Sequence, residues 1–164
     1  MKTKHRNASR AKRQARALDG GLLDKVFSNI TKLTPSEIAQ VITPVRSGML
    51  HLKRCTATQA DYVWVCSAAQ IGMSIERQGV VRGLASHMQA ALDALESISD
   101  RGFASGQWRS PAMRAAEIDA IDTAIDLHEY QLKQLSYGEF TQANQAAAQR
   151  ARSLGGQVFF GAQA

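Results

Sequence analysis

The sequence predicts an all-α protein, a helical bundle of five or six helices with a disordered, basic N-terminal arm. Alanine is abundant, while only 6% of residues are aromatic and only three are proline, a composition that favours helices over strands. Apolar residues recur at spacings of three and four along most of the chain. With 45% hydrophobic residues in 164, the chain can bury one core.

We divide the chain into three parts. Residues 1–18 form the predicted arm, residues 19–156 a single helical domain, and residues 157–164 a short C-terminal tail. The arm offers no large apolar face, so we expect it to be disordered when alone. The glycine pair at 155–156 is a typical end for the last helix.

The arm concentrates the positive charge of the chain. It holds seven basic residues and no acid: Lys2, Lys4, Arg6, Arg10, Lys12, Arg13 and Arg16. The remaining residues include 13 basic and 14 acidic ones, so the formal net charge of +6 belongs to the arm. Lys and Arg neutralise phosphates and release counterions, which predicts contact with the backbone of DNA or RNA. The alternatives are a solubilising tail and, because the start is Arg-rich and acid-free, a mitochondrial transit peptide.

The first helices are predicted from their apolar spacing and a strong start signal. "GLLDKVFSNITKL" reads as a short amphipathic helix. In "LTPSEIAQVI", Thr34 can cap a helix, Pro35 suits its first position and Glu37 completes a capping box. Pro44 predicts a kink or break near Thr43, with helix continuing towards Arg54.

The central stretch predicts either two helices or one long helix bent at Gly79. Thr58 is the expected cap, with Asp61 in the first turn. Two apolar rows follow and give this helix a wide apolar surface, which predicts a central position. Beyond Gly79, an apolar stripe recurs at spacings of four and three: Leu84, Met88, Ala91, Leu95 and Ile98.

The last two helices follow the main loop, "DRGFASGQWRSP". Ser110 and Pro111 predict a cap and first helical residue. The stripe that follows is the clearest in the chain: Ile118, Ile121, Ile125, His128, Leu132 and Leu135. Ser136 and Glu139 predict a capping box for the final helix.

An acidic surface is predicted on the penultimate helix. Asp119, Asp122 and Asp126 share one face, and Glu117 and Glu129 flank them with no Lys or Arg between. Like charges at this spacing repel, so something must offset the cost. The candidates are a partner's basic surface, the protein's own arm, a metal, or water together with Lys133.

A second possible interaction surface is the loop around Trp108. Arg101, Arg109 and Arg114 surround this tryptophan in sequence. Arginines before a helix N-terminus can hold a phosphate or an acidic partner, and an exposed tryptophan can anchor an interface. Alternatively, Trp108 covers the end of the core and the arginines are solvated.

The sequence gives little evidence for a metal site or a catalytic site. His51 and Cys55 have the spacing of half a zinc site, but no second half is present, so we predict no metal and no cofactor. His128 lies on an apolar stripe and is interpreted as a core histidine. Glu76 and Arg77 are predicted to form a buried pair where helices cross. The sequence lacks a phosphate-binding loop and the catalytic motifs GxSxG and HExxH, so we predict that the protein is not an enzyme. The enzymatic alternative would need His87 and His128 in one pocket together with carboxylates.

The protein is predicted to be soluble and cytosolic, in a reducing compartment. No apolar run approaches the roughly 20 residues of a membrane helix, so no membrane partner is expected. Two cysteines do not make a disulfide framework.

Two stretches, "SIERQGVVRGL" and "AIDLHEYQLKQLSYGEF", are similar to parts of uncharacterised small helical proteins found in proteobacterial prophages, plasmids and integrated elements. The resemblance covers about Thr34–Phe140. It implies a location in the cytoplasm of a bacterium, or of the host cell of a phage, and a mobile-element role.

Two functions are consistent with these features. The first is a non-enzymatic accessory protein of a phage or mobile element that contacts nucleic acid through its arm. The second is a protein-interaction module that binds a host protein through the acidic face and the Trp108 loop. In either case the apolar stripes favour a homodimer.

Overall fold

A computed structural model of the chain describes residues 29–153, and this part is all-α, as predicted. It contains five helices: α1 (Pro35–Lys53), α2 (Gln59–Gln78), α3 (Ala85–Gly102), α4 (Ala115–Gln134) and α5 (Tyr137–Ser153). Isolated β-type pairing within these residues joins Lys32 to Ser136. The arm, most of the first predicted helix, the glycine pair and the tail lie outside the described residues.

The helix α2 is the centre of the bundle, as its wide apolar surface predicts. It packs against α1, α3, α4 and α5. The main core cluster joins residues of α1 to α4 around it, including Leu52, Val65, Leu95 and Ile121, all at most 1% exposed. None of the helices within residues 29–153 is long and apolar enough to cross a bilayer.

Three predicted helix starts are confirmed by capping boxes. The Thr34 hydroxyl accepts the Glu37 N–H at 3.3 Å, while the Glu37 carboxylate accepts the Thr34 N–H at 2.7 Å. Thr58 and Asp61 form the same reciprocal pair at the start of α2. Ser136 and Glu139 form it at the start of α5. Each box satisfies backbone N–H groups that a helix leaves free at its first turn.

Of the kink or break predicted near Thr43, the break does not occur. The helix α1 continues through Pro44, because buried residues on both sides of it, including Ile42 and Val45, hold the helix against the core. The predicted start of the next-to-last helix is wrong. Ser110 and Pro111 do not start α4. The helix begins at Ala115 because the Glu117 carboxylate accepts the Arg114 N–H at 2.8 Å and so fixes the first turn there.

Gly79 ends α2, so the two-helix prediction is confirmed. Its φ of +80° is left-handed, which suits glycine. The predicted buried pair of Glu76 with Arg77 is wrong. The Glu76 carboxylate instead accepts the N–H groups of Gly83 and Leu84, at 2.6 and 3.1 Å, and caps the start of α3, while Arg77 is exposed.

The helix α2 approaches two neighbours at glycines. A Cβ added to Gly48 of α1 would lie 2.7 Å from the backbone oxygen of Asp61. A Cβ added to Gly72 of α2 would lie 2.6 Å from the Met88 sulfur of α3. The first contact is with backbone, which cannot rotate away, so Gly48 sets the distance between α1 and α2.

Replacing Gly48 with alanine is expected to lower the free energy of unfolding by about 2 kcal/mol, because the new methyl group must push two helices apart. Urea unfolding followed by circular dichroism measures the change. Ser47→Ala, at an exposed neighbouring position, is the matched control. Since alanine is a better helix former than glycine, a stabilised Gly48→Ala protein would contradict the close approach.

Candidate interaction surfaces

The acidic face of α4 is held by cations of α1. Arg46 Nη2 lies 2.9 Å from Asp126 Oδ1 and 2.7 Å from Glu129 Oε2. Lys53 Nζ lies 2.6 Å from Asp122 Oδ2. The spacing of seven between Arg46 and Lys53 matches two turns of α1, so both cations face the same side of α4.

These pairs offset the repulsion between the α4 carboxylates. The hydrogen bond from Arg46 lowers the pKa of Glu129, and Lys133 adds a second contact at 2.9 Å. Lys133 was expected to help, whereas the contribution of α1 was not foreseen from the sequence. Asp122 and Asp126 therefore have partners within the fold and serve to attach α1 to α4.

An outer row of α4 remains open to solvent. Asp119, Asp126 and Tyr130 are spaced seven and four apart, so they lie on one face. The Asp126 side chain is 68% exposed despite its ion pair, and Tyr130 is 52% exposed. Within residues 29–153, Asp119 has no charged partner within ion-pair distance. This row is the part of the acidic face that a partner could still contact.

Arg101 is committed to a carboxylate within the fold. Its guanidinium donates to both oxygens of Glu117, at 2.8 and 2.7 Å, and also to the Ser97 hydroxyl at 2.7 Å. The Glu117 side chain is only 7% exposed, and its hydrogen bonds from Arg101 lower its pKa. This bidentate pair ties the end of α3 to the start of α4, so Arg101 is unsuited to hold an external phosphate.

Trp108 folds inwards and covers one end of the core. Its Nε1–H donates to the Ala57 carbonyl at 2.8 Å, and its ring centroid lies 5.0 Å from that of Tyr62. A second aromatic neighbour, Phe103, lies at 5.3 Å. The half-buried ring supports the structural alternative for Trp108. Arg109 and Arg114 are exposed.

The three histidines within residues 29–153 are not gathered into one place. His128 is fully buried, which confirms its interpretation as a core residue. Its Nδ1 lies 3.4 Å from the Gln131 side-chain oxygen, and Gln131 in turn donates to the Gly72 carbonyl at 3.1 Å. His87 is exposed on α3, and His51 of α1 pairs with Asp61 at 3.1 Å.

Among the residues that the structure describes, a larger and a smaller cavity open between α1 and α4, and His87 and His128 line neither of them. One of about 520 Å³ is lined mostly by apolar side chains of α1, including Ile38 and Ile42, with Lys133 and Glu129 on the α4 side. The other, of about 180 Å³, surrounds the Lys53–Asp122 pair. Across the described part of the chain, no three His, Cys, Asp or Glu residues are grouped as a metal site would require.

No family model matches the chain, and neither a curated protein nor a solved structure is significantly similar to it. The functional interpretation therefore depends on the chemistry of the residues themselves.

Acidification is expected to destabilise the protein through His128. Burial lowers the pKa of His128 from 6.5 to about 4, so between these values the unfolded chain binds a proton that the folded protein does not. Stability is therefore lost as the pH falls through this window, by about 2 kcal/mol between pH 7 and pH 5. Urea unfolding at both pH values measures the loss.

His87→Ala, at an exposed position, is the control and should retain this pH dependence. His128→Leu should remove most of it, whatever its effect on stability at pH 7. An unchanged pH dependence in His128→Leu would contradict the assignment.

Proposed function

We propose that the protein is a non-enzymatic accessory factor that contacts nucleic acid through its basic N-terminal arm. The observation that carries this proposal is the separation of charge along the chain. Residues 29–153 contain 12 basic and 12 acidic residues, whereas residues 1–28 contain eight basic and two acidic ones. A neutral body joined to a cationic segment favours non-specific contact with phosphates by that segment.

The internal ion pairs of the body support this division of roles. Arg46, Lys53, Arg101 and Lys133 each face a carboxylate at 2.9 Å or less. A cation already paired with a carboxylate has less to gain from a phosphate, because the existing pair must first be broken. The seven basic residues of the arm are therefore the stronger candidates for phosphate contact.

The proposed contacts carry no base readout, so DNA and RNA are both candidate ligands. No aromatic residue lies among residues 1–18, and base stacking usually requires one. The helical body would dimerise or recruit a second protein. The resemblance to prophage and plasmid proteins supports the further proposal that the protein acts in the cytoplasm of a bacterium, as part of a mobile element.

The arm is expected to supply most of the affinity for nucleic acid. Changing its seven basic residues to glutamine should weaken binding to duplex DNA by about a hundredfold or more near 0.1 M salt. For the unmodified protein, the slope of log affinity against log salt should approach about −6 if all seven cations contact phosphates. Fluorescence anisotropy with labelled DNA and RNA of mixed sequence measures both quantities.

A matched control changes two exposed arginines of the body, Arg109 and Arg114, to glutamine. This control should alter affinity by no more than about a few fold. Binding that persists after deletion of residues 1–18 would show that the arm is a solubilising tail and would refute the proposal.

The outer row of α4 favours a second candidate function, binding of a host protein. Asp119, Asp126 and Tyr130 combine exposed negative charge with an exposed tyrosine, and tyrosine is enriched at the energetic centres of protein interfaces. This row replaces Trp108 and Asp122 as the proposed contact, because both of those side chains have partners within the fold.

Asp119→Lys combined with Tyr130→Ala is expected to reduce capture of a protein partner by about tenfold or more, since a central tyrosine often contributes over 2 kcal/mol to binding. Pull-down from nuclease-treated extract of the source cell, with quantified partner, measures the loss. Asp100→Lys on the exposed side of α3 is the charge control. Equal capture by all three proteins would exclude this surface. Reversing Asp122 or Asp126 is a poorer test, because it also breaks the pairs with Lys53 and Arg46.

A further inference from the structure

The helix α5 is attached to the bundle differently from the other four. The helices α1 to α4 each pack against at least two others, whereas α5 packs along α2 and makes no comparable contact with α1, α3 or α4. No ion pair within residues 29–153 joins α5 to another helix, in contrast to the pairs that join α4 to α1 and to α3. Loss of its contact with α2 would therefore release α5 without disturbing the other helix pairs.

The side chains that α5 buries are small. They are all alanines: Ala143, Ala147, Ala148 and Ala151. Phe140, near the start of the helix, is half-buried and packs on Leu132 and Leu135. An alanine removes much less apolar surface from water than a leucine or isoleucine does, so the half of α5 beyond Phe140 gains little from burial.

The facing side of α2 is partly polar. Ile71 belongs to the same buried cluster as Ala143 and Ala147, and Ser74 and Gln78 lie on the same face of α2 at spacings of three and four. Both amide atoms of Gln78 are buried without a hydrogen-bond partner, as is the Oδ1 atom of Asn144 on α5. Burying polar atoms without partners opposes docking, because water would satisfy them.

The start of α5 is fixed, so its two ends differ in attachment. The Tyr137 N–H donates to the Thr31 carbonyl at 3.0 Å, and the Leu33 N–H donates to the Leu135 carbonyl at 3.1 Å. The capping box of Ser136 and Glu139 adds to this anchor. Undocking would therefore pivot near Phe140 and involve the part of the helix that follows it.

We propose that Ala143–Ser153 is a releasable strap, a helical segment that undocks from α2 as a unit while α1 to α4 stay folded. Release exposes Ile71 along with the alanine face of the strap itself. The strap thus controls access to the side of α2 that α1, α3 and α4 leave uncovered. This inference is independent of the proposed nucleic-acid contact.

Hydrogen–deuterium exchange of the full chain, followed by NMR at single amides, tests the strap. The strap amides are expected to share one opening equilibrium that is at least about tenfold more populated than that of α2 amides near Ile71. Their exchange should also depend little on low concentrations of urea, because local opening exposes little surface. Ordinary fraying would give protection that increases steadily from Ser153 inwards instead.

Asn144→Leu tests the cause, with Gln145→Leu at an exposed neighbouring position as the matched control. Filling the interface with an apolar side chain should slow exchange throughout the strap by about tenfold, and the control should leave it unchanged. Strap amides that exchange only together with α2, through global unfolding, would overturn the proposal. Graded fraying, or equal exchange in the two leucine variants, would overturn it as well.

Discussion

The crowding of four helices around α2 is the constraint on which the rest of the structure depends. A helix with neighbours on every side cannot carry large residues everywhere, because the neighbouring backbones must come close. Gly48 and Gly72 mark the closest approaches, and small residues such as Ala68 and Ala69 fill the space between them. Larger side chains are then placed by the neighbours, which pack Leu52, Leu95 and Ile121 into the same core.

Ion pairs between helices add to the packing of the core. The carboxylates of α4 bind cations of two neighbouring helices. Asp122, Asp126 and Glu129 bind Arg46 and Lys53 of α1, and Glu117 on another side of α4 binds Arg101 of α3. The partly exposed pairs with α1 are individually weak, whereas the Arg101–Glu117 pair is shielded and bidentate. Together they orient α4 and leave the body neutral, so the excess positive charge of the chain resides in residues 1–28.

Local patterns in the sequence predicted most of the helices, but they could not predict contacts between residues that are far apart in the chain. Capping boxes and apolar stripes depend on residues three or four apart, so Thr34, Thr58 and Ser136 could be assigned directly. The partners Arg46 and Asp126 are 80 residues apart, and nothing local links them. The predicted pair of Glu76 with Arg77 is wrong for the same reason. The Glu76 carboxylate accepts the N–H groups of Gly83 and Leu84, which come near it only because the chain turns at Gly79. Pro44 does not end α1, because packing on both sides of it overrides its local tendency to break a helix.

The interface of α2 with α4 and its interface with α5 differ in whether their buried polar groups are hydrogen-bonded. Towards α4, the buried amide of Gln131 donates to the Gly72 carbonyl, and a slip of either helix would break this bond and leave the amide without its partner. Towards α5, the amides of Gln78 and Asn144 are buried without such bonds, so movement of the strap costs no hydrogen bond at these atoms and returns them to water. The same central helix therefore holds α4 in a single register and binds the end of α5 weakly, and the difference arises from hydrogen-bond satisfaction as much as from apolar area.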